Sequence, residues 1–296
     1  MKKVSVIGAG RLGSATAYTI AQRGIADEIV LVDINRELAR GQALDIAQSV
    51  ARRSDTKVVA GDYGAVSGSD VVVVTCGMPR GAIEHDRMEL LEKNKALIKG
   101  IADKLKRCAQ GAIIITVTNP SDVMNHLVQK TTGFSEKKVM GFGNLLDSAR
   151  FRQIISERLK CRPMEIEGAY VIGEHGEAMV PLFSNIKING KVHSFSVKDK
   201  SKITKLLKNA AWDIIDIKGA TEFGPASCIV DTVGAVLNGT KEILPVSLVQ
   251  GGASAGILAR VGKGGAEPIE MSLDDGGREF FERAKKKIAG YEVSAS

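Results

Sequence analysis

The sequence is poor in aromatic residues, which make up 4% of its 296 positions with a single tryptophan, and it has only four cysteines. Cys76, Cys108, Cys161 and Cys228 lie far apart with no CxxC pair, so neither a zinc site nor a disulfide framework is expected, and no metal is called for. They read as reduced core residues. No apolar run approaches the roughly 18 residues of a membrane span, which argues against a helical membrane protein. The chain opens with MKK running straight into VSVIGAG, without the charged-then-apolar layout of a secretory leader, so the expected location is the cytoplasm. Asn238-Gly239-Thr240 matches a glycosylation sequon, which has no use without secretion. There is no internal repeat, low-complexity tract or long linker.

What is present suits a globular protein: hydrophobic residues make up 44% and charged residues 25%. At roughly 100–200 residues per domain, the length fits one large or two ordinary domains. The formal net charge is +7, which raises the question of a polyanionic partner. Seven lysines (Lys187, Lys191, Lys198, Lys200, Lys202, Lys205 and Lys208) face one acid, Asp199, between 187 and 208, so most of the excess is local. With Phe195 as its single phenylalanine, tyrosine or tryptophan and with no nucleic-acid motif, that stretch reads as a solvated face, and neither nucleic acid nor membrane is an expected partner.

The first half alternates short β-branched runs with longer amphipathic stretches. Val4–Ile7, Ile29–Val32, Val58–Ala60, Val71–Thr75 and Ile113–Val117 read as strands, and VVVV and IIIT, lacking polar alternation, as strands covered on both faces. Alternating strand and helix implies an α/β fold with a Rossmann-type, doubly wound parallel sheet. From Met88 to Cys108 the apolar spacing is helical. After about residue 145 the texture becomes α+β. A helix at 145–159 leads to a strand at Ala169–Ile172, then strands at Ile186–Ile188 and Val192–Phe195 joined by the type I′ signal Asn189-Gly190. Helices at 203–217 and 225–237, a glycine-rich strand region at 243–262 and a last helix opened by Ser272-Leu273-Asp274-Asp275, with capping-box spacing, complete it. The expected division is a dinucleotide-binding domain at 1–143 and a catalytic α+β domain at 144–296.

The first strand runs into Gly8-Ala9-Gly10-Arg11-Leu12-Gly13. In a GxGxxG turn the first glycine makes the bend, the second admits a pyrophosphate, and the third lets the helix pack on the strand. The helix N-terminus then offers free N–H groups to the phosphates. Asp33 ends the second strand about 20 residues after Gly13, where a carboxylate would hold the adenine ribose hydroxyls, which favours NAD. Arg36, three residues later, leaves NADP open as a weaker alternative. In the second half, one strand empties into Gly173-Glu174-His175-Gly176-Glu177. A histidine between glycines at a strand exit is placed to exchange protons near neutral pH. Asp147 and Arg150 stand at i and i+3 on one helix face. They are either an ordinary surface ion pair, or an aspartate that orients His175 beside an arginine that grips a carboxylate.

Together GAGRLG at 8–13, the Asp33 strand end, VTNPSDV at 117–123, GNLLDSAR at 143–150, GEHGE at 173–177 and KGATEFGPA at 218–226 resemble the lactate/malate dehydrogenase family, and most nearly its lactate-dehydrogenase-like malate dehydrogenases. The resemblance runs from the first strand to the last helix. It implies that His175 takes the substrate hydroxyl proton while hydride passes to NAD, that Asp147 stabilises the imidazolium, and that Arg150 binds the C1 carboxylate. It also implies that Asn119 contacts substrate and nicotinamide, that Val117 and Asn94 contact the cofactor, and that Thr221 lines the substrate pocket. In the loop after the fourth strand, Arg87 matches the arginine that polarises the reacting carbonyl, and Arg80 falls at the substrate-selecting position. An arginine there would pair with a second carboxylate, which points to malate and oxaloacetate. L-lactate or another 2-hydroxy acid is the same-class alternative, and a non-catalytic NAD(H)-binding protein the different-class one. The family likeness further implies a homodimer or homotetramer.

Overall fold

A computed structural model describes residues 1–78, 87–271, 273 and 275–293, with side chains throughout except at 87–90, 275–276, 280 and 291–293. The first half runs β1 (Lys3–Ile7), α1 (Arg11–Arg23), β2 (Glu28–Val32), α2 (Arg36–Val50), β3 (Lys57–Ala60), β4 (Val71–Val74), α3 (Arg87–Cys108), β5 (Ile113–Thr116), α4 (Ser121–Thr132) and β6 (Val139–Gly141). The second runs α5 (Asn144–Leu159), β7 (Ile166–Glu167), β8 (Val171–Gly173), β9 (Met179–Pro181), β10 (Lys187–Ile188), β11 (Lys191–Val192), α6 (Val197–Asn209), α7 (Trp212–Lys218), α8 (Phe223–Asn238), β12 (Glu242–Gln250), β13 (Ala253–Gly262), β14 (Gly265–Pro268) and α9 (Asp275–Val293).

The strand order β3-β2-β1-β4-β5-β6 is parallel throughout, the doubly wound α/β arrangement expected from the alternation. Every residue of β4 (VVVV) and β5 (IIIT) is buried, because helices cover both faces of the sheet. Strand order reverses between β1 and β4, so the loops leaving their carboxyl ends diverge and open a crevice. The sheet does not end at β6. β12 joins it antiparallel through Ser247 and Gly141, and β13, β8 and β9 extend it, which seats the second half against the first. Between α1 and α8, Arg23 meets Asp231 at 2.6 Å and reinforces that packing. A smaller core of Phe151, Ile155, Ile166, Ile186, Ile203 and Leu207 lies under the three-stranded sheet β11-β10-β7.

Several expectations shift in detail. The single helix expected at 203–217 is two, α6 and α7, separated at Ala210 and Ala211. The hairpin turn is at Asn189-Gly190, with φ of +50° and +75°, but its second strand is Lys191–Val192 rather than 192–195. The glycine-rich strand region is a long hairpin turned by Gly251-Gly252. Only Cys228 of the four free cysteines is fully buried. Gly239 of the sequon is the left-handed cap that ends α8, and Asn238 Oδ1 accepts from Lys2 Nζ at 2.7 Å. Six of the seven clustered lysines are exposed, and Lys208 is half-buried against the crevice. Ser272 and Asp274 of the expected cap lie outside the described residues. Among the described residues no helix is long and apolar enough to cross a membrane.

Candidate active site

The turn after β1 shows why its residues are glycines. Gly8 has φ +106°, and a Cβ there would lie 2.8 Å from the Cys76 nitrogen; a Cβ on Gly13 would lie 1.8 Å from the Gly8 carbonyl oxygen. Both are demanded by the fold. Gly10 is not: a Cβ there meets no protein atom within 4 Å. Its lack of a side chain leaves room for something outside the protein. α1 begins at this point with no side-chain cap and no acid in its first turn, so its unpaired N–H groups suit a phosphate. Asp33 Oδ2 accepts the Ala9 N–H at 2.7 Å and Oδ1 that of Asn35 at 2.9 Å, which pins the carboxylate beside the turn.

From Gly10, Arg11, Leu12 and Gly13 a cleft of about 550 Å³ extends between the two halves. Asn94, Val117, Asn119, Asp147, Arg150, His175 and Thr221, expected from the sequence, line it together, while Gly8, Ala9 and Asp33 lie outside its lining. Asn94 is buried with both ends of its amide engaged: Oδ1 accepts the Met78 N–H at 2.7 Å and Nδ2 donates to the Asn119 carbonyl at 2.8 Å. It thus holds the loops after β4 and β5 together at the crevice. Arg80 lies outside the described residues, as does the side chain of Arg87, the first residue of α3.

At the far end of the cleft, His175 Nδ1 lies 2.6 Å from Asp147 Oδ2, and Asp147 Oδ1 lies 3.3 Å from Arg150 Nη1. Asp147 is 1% exposed and Arg150 12%, so this is no solvated surface pair. Burial works to lower the pKa of His175, but the charge and hydrogen bond of Asp147, helped by Asp122, outweigh it and raise it above the usual histidine value. Gly143, just before α5, makes room for the imidazole: a Cβ there would lie 2.5 Å from His175 Cγ. The loop carrying the histidine is held on both sides. Asp122 Oδ2 accepts its backbone N–H at 2.9 Å, and buried Glu174 pairs with Lys287 of α9 at 2.7 Å.

Residues 2–141 match the lactate/malate dehydrogenase NAD-binding domain, and residues 145–289 the lactate/malate dehydrogenase alpha/beta C-terminal domain. The chain belongs to the lactate/malate dehydrogenase family. It is 40% identical to a malate dehydrogenase of Natronomonas pharaonis, with 98% of each chain covered. It is 35% identical to an L-lactate dehydrogenase of Pseudothermotoga lettingae, covering 98% of this chain and 95% of that one. The malate dehydrogenase of Archaeoglobus fulgidus, solved in complex with NADH, superposes with a TM-score of 0.92 at 35% identity over 99% of both chains. The protein is accordingly an NAD-dependent oxidoreductase, and the open space at Gly10 with the uncapped start of α1 fits the cofactor's pyrophosphate.

Sequence reasoning did not single out Asp122, Gly143, Lys287 or Trp212. Asp122 and Gly143 lie inside the family motifs VTNPSDV and GNLLDSAR, but their contacts to His175 are long-range. Trp212 is the chain's one tryptophan and lines the cleft, which no local pattern announces.

Proposed function

We propose that this dehydrogenase interconverts malate and oxaloacetate, with the half at 1–143 binding NAD and the half at 144–296 carrying the acid–base chemistry. The observation that carries the reaction type is the buried Asp147–His175 pair beside Arg150 in a cleft continuous with the glycine turn. When bound, NAD supplies the hydride acceptor for oxidation and, reduced, the hydride donor for reduction.

The chain's own residues handle the proton and the charges. His175 commits Nδ1 to Asp147, which leaves Nε2 to exchange a proton with the substrate oxygen. As the alcohol C–O becomes C=O, the hydroxyl proton passes to Nε2; in the reverse direction Nε2 returns it to the nascent alkoxide. Asp147 fixes the tautomer and stabilises the imidazolium. Arg150 spends one donor on Asp147 and has others to hold the C1 carboxylate bidentately. Asn119 and Thr221, on opposite halves, border the same space. Arg87 would polarise the reacting carbonyl.

Substrate choice rests on Arg80. A second carboxylate neutralises it in a closed site, whereas pyruvate would leave it desolvated and unpaired at a cost on the order of several kcal/mol. The higher identity to a malate than to a lactate dehydrogenase supports the same choice. Steady-state oxidation of NADH with oxaloacetate and with pyruvate tests it. We expect kcat/KM at least about 100-fold higher for oxaloacetate, a gap of about 2.7 kcal/mol, narrowed in Arg80→Gln. A preference for pyruvate by the wild-type enzyme refutes the assignment. We further assign a cytoplasmic homodimer or homotetramer; a solution mass of one 31.5 kDa chain refutes the oligomer.

A further inference from the structure

Asp122 is the second residue of α4, 4% exposed, and among the described residues no lysine or arginine forms an ion pair with it. A buried carboxylate without a cation is costly unless hydrogen bonds hold it. Here they come from two distant parts of the chain. Oδ2 accepts the backbone N–H of His175 at 2.9 Å, and Oδ1 accepts the hydroxyl of Ser247, on β12, at 2.6 Å. Ser247 is itself held: its hydroxyl lies 3.0 Å from that of Ser254 on β13, and Asn125 of α4 donates to Ser254 Oγ at 3.0 Å and to the Ser247 carbonyl at 3.1 Å. The carboxylate is therefore the joint at which α4, the β12–β13 hairpin and the histidine loop meet.

We propose that Asp122 is a positioning residue for His175, its carboxylate docking the catalytic loop onto the first turn of α4 and placing a second negative charge behind the imidazole. The charged groups around it are consistent with this role. On the loop between β8 and β9 stand His175 itself and Glu174; from α5, Asp147 and Arg150 act on the imidazole; from α9, Lys287 neutralises Glu174. Burial pushes the carboxyl of Asp122 up to about 6, against the Ser247 and His175 hydrogen bonds that favour its ionised form. The anchor is thus ionised at neutral pH and weakens as the solution becomes acidic.

This inference rests on His175 as the proton-transfer residue, and the test separates the two. Asp122→Asn keeps shape and an acceptor while removing charge, Asp122→Ala removes the anchor, and Ser247→Ala removes one tether but leaves the charge. The imidazole titration of His175 is followed by NMR in the cofactor-free protein, alongside kcat for oxaloacetate reduction against pH and KM for NADH. In Asp122→Asn the His175 titration and the alkaline limb of kcat both move to lower pH, whereas Ser247→Ala leaves the titration in place. In Asp122→Ala kcat falls on the order of 100-fold, as for a reacting group misplaced by about 1 Å, with KM for NADH unchanged. A His175 titration unmoved in Asp122→Asn overturns the proposal even if kcat falls, since a purely structural loss lowers the rate without shifting the titration. Should Asp122→Ala not fold, Asp122→Asn decides alone. Full activity in His175→Asn would sink the acid–base reading instead, and the NMR titration would still report on Asp122.

Discussion

Alanine at position 143 would put a Cβ 2.5 Å from His175 Cγ, 2.7 Å from its Cβ and 2.9 Å from Cδ2. Carbon atoms rest at about 3.5–4.0 Å, so the ring and its loop must retreat by roughly 1 Å. The Nδ1–Oδ2 hydrogen bond to Asp147 is 2.6 Å long, and a retreat of that size stretches it beyond hydrogen-bonding range. Nor is the loop free to follow without loss, because the backbone N–H of His175 is tied to Asp122. A displacement of about 1 Å at a reacting group costs on the order of 100-fold in rate, and overpacking of this kind costs about 1–3 kcal/mol in stability. Gly143→Ala should therefore lower kcat for oxaloacetate reduction about 100-fold, leave KM for NADH near the wild-type value, and lower the unfolding midpoint modestly. Saturating steady-state kinetics and thermal unfolding on the same preparation measure all three. A kcat within threefold of wild type would refute the reasoning, because it would mean that the imidazole position does not depend on the space Gly143 leaves.

Asp147→Asn tests the sign of the electrostatics. In the proposed mechanism reduction needs the imidazolium, so its rate should fall as pH rises through the His175 pKa; Asp147 raises that pKa, and removing its charge should move the fall to lower pH. The oxidative rate, which needs neutral imidazole, should begin its rise at lower pH too, and limbs that stay in place in both directions would contradict the pairing. Two charges about 4 Å apart attract by about 4 kcal/mol at an effective dielectric near 20, and solvent reaching the partly exposed ring reduces this, so a loss of about 100-fold in reduction at neutral pH is expected. The glycine turn offers a paired test. Gly13→Ala forces a Cβ to 1.8 Å from the Gly8 carbonyl and should impair folding, whereas Gly10→Ala meets nothing and should fold normally yet bind NADH at least about tenfold more weakly. Fluorescence of Trp212, the one tryptophan and a cleft residue, reads that binding directly; unchanged affinity in Gly10→Ala would mean that the pyrophosphate does not cross this glycine.

Much of the first half was legible because its determinants are local. VVVV and IIIT announce strands buried on both faces, Gly8 to Gly13 announce a strand-to-helix turn, and Asn189-Gly190 announces a hairpin whose two positive φ angles follow from those residue types. The i, i+3 spacing of Asp147 and Arg150 likewise follows from one helix. Where local signals were weak, boundaries moved: the break between α6 and α7 falls at two alanines, which carry no helix-stop signal, and the two-residue strands beyond β9 are too short for a period to register.

Whether Asp147 and Arg150 were a surface pair was open in the sequence, and the packing of the second half excluded a solvated pair by burying both beside His175, 28 residues from the aspartate. Asp122 shows the same division more sharply. As one residue in VTNPSDV it carries no sign of its partners, which lie 53 and 125 residues away, on a loop and a strand that meet it only because β12 continues the sheet beyond β6. By itself, then, the sequence determined the elements, the glycine turn and the chemical types available, since these depend on neighbours a few residues apart. The tertiary structure decided which of those groups lost water and faced one another, because desolvation and hydrogen-bond geometry are set by sheet order and long-range packing rather than by local spacing.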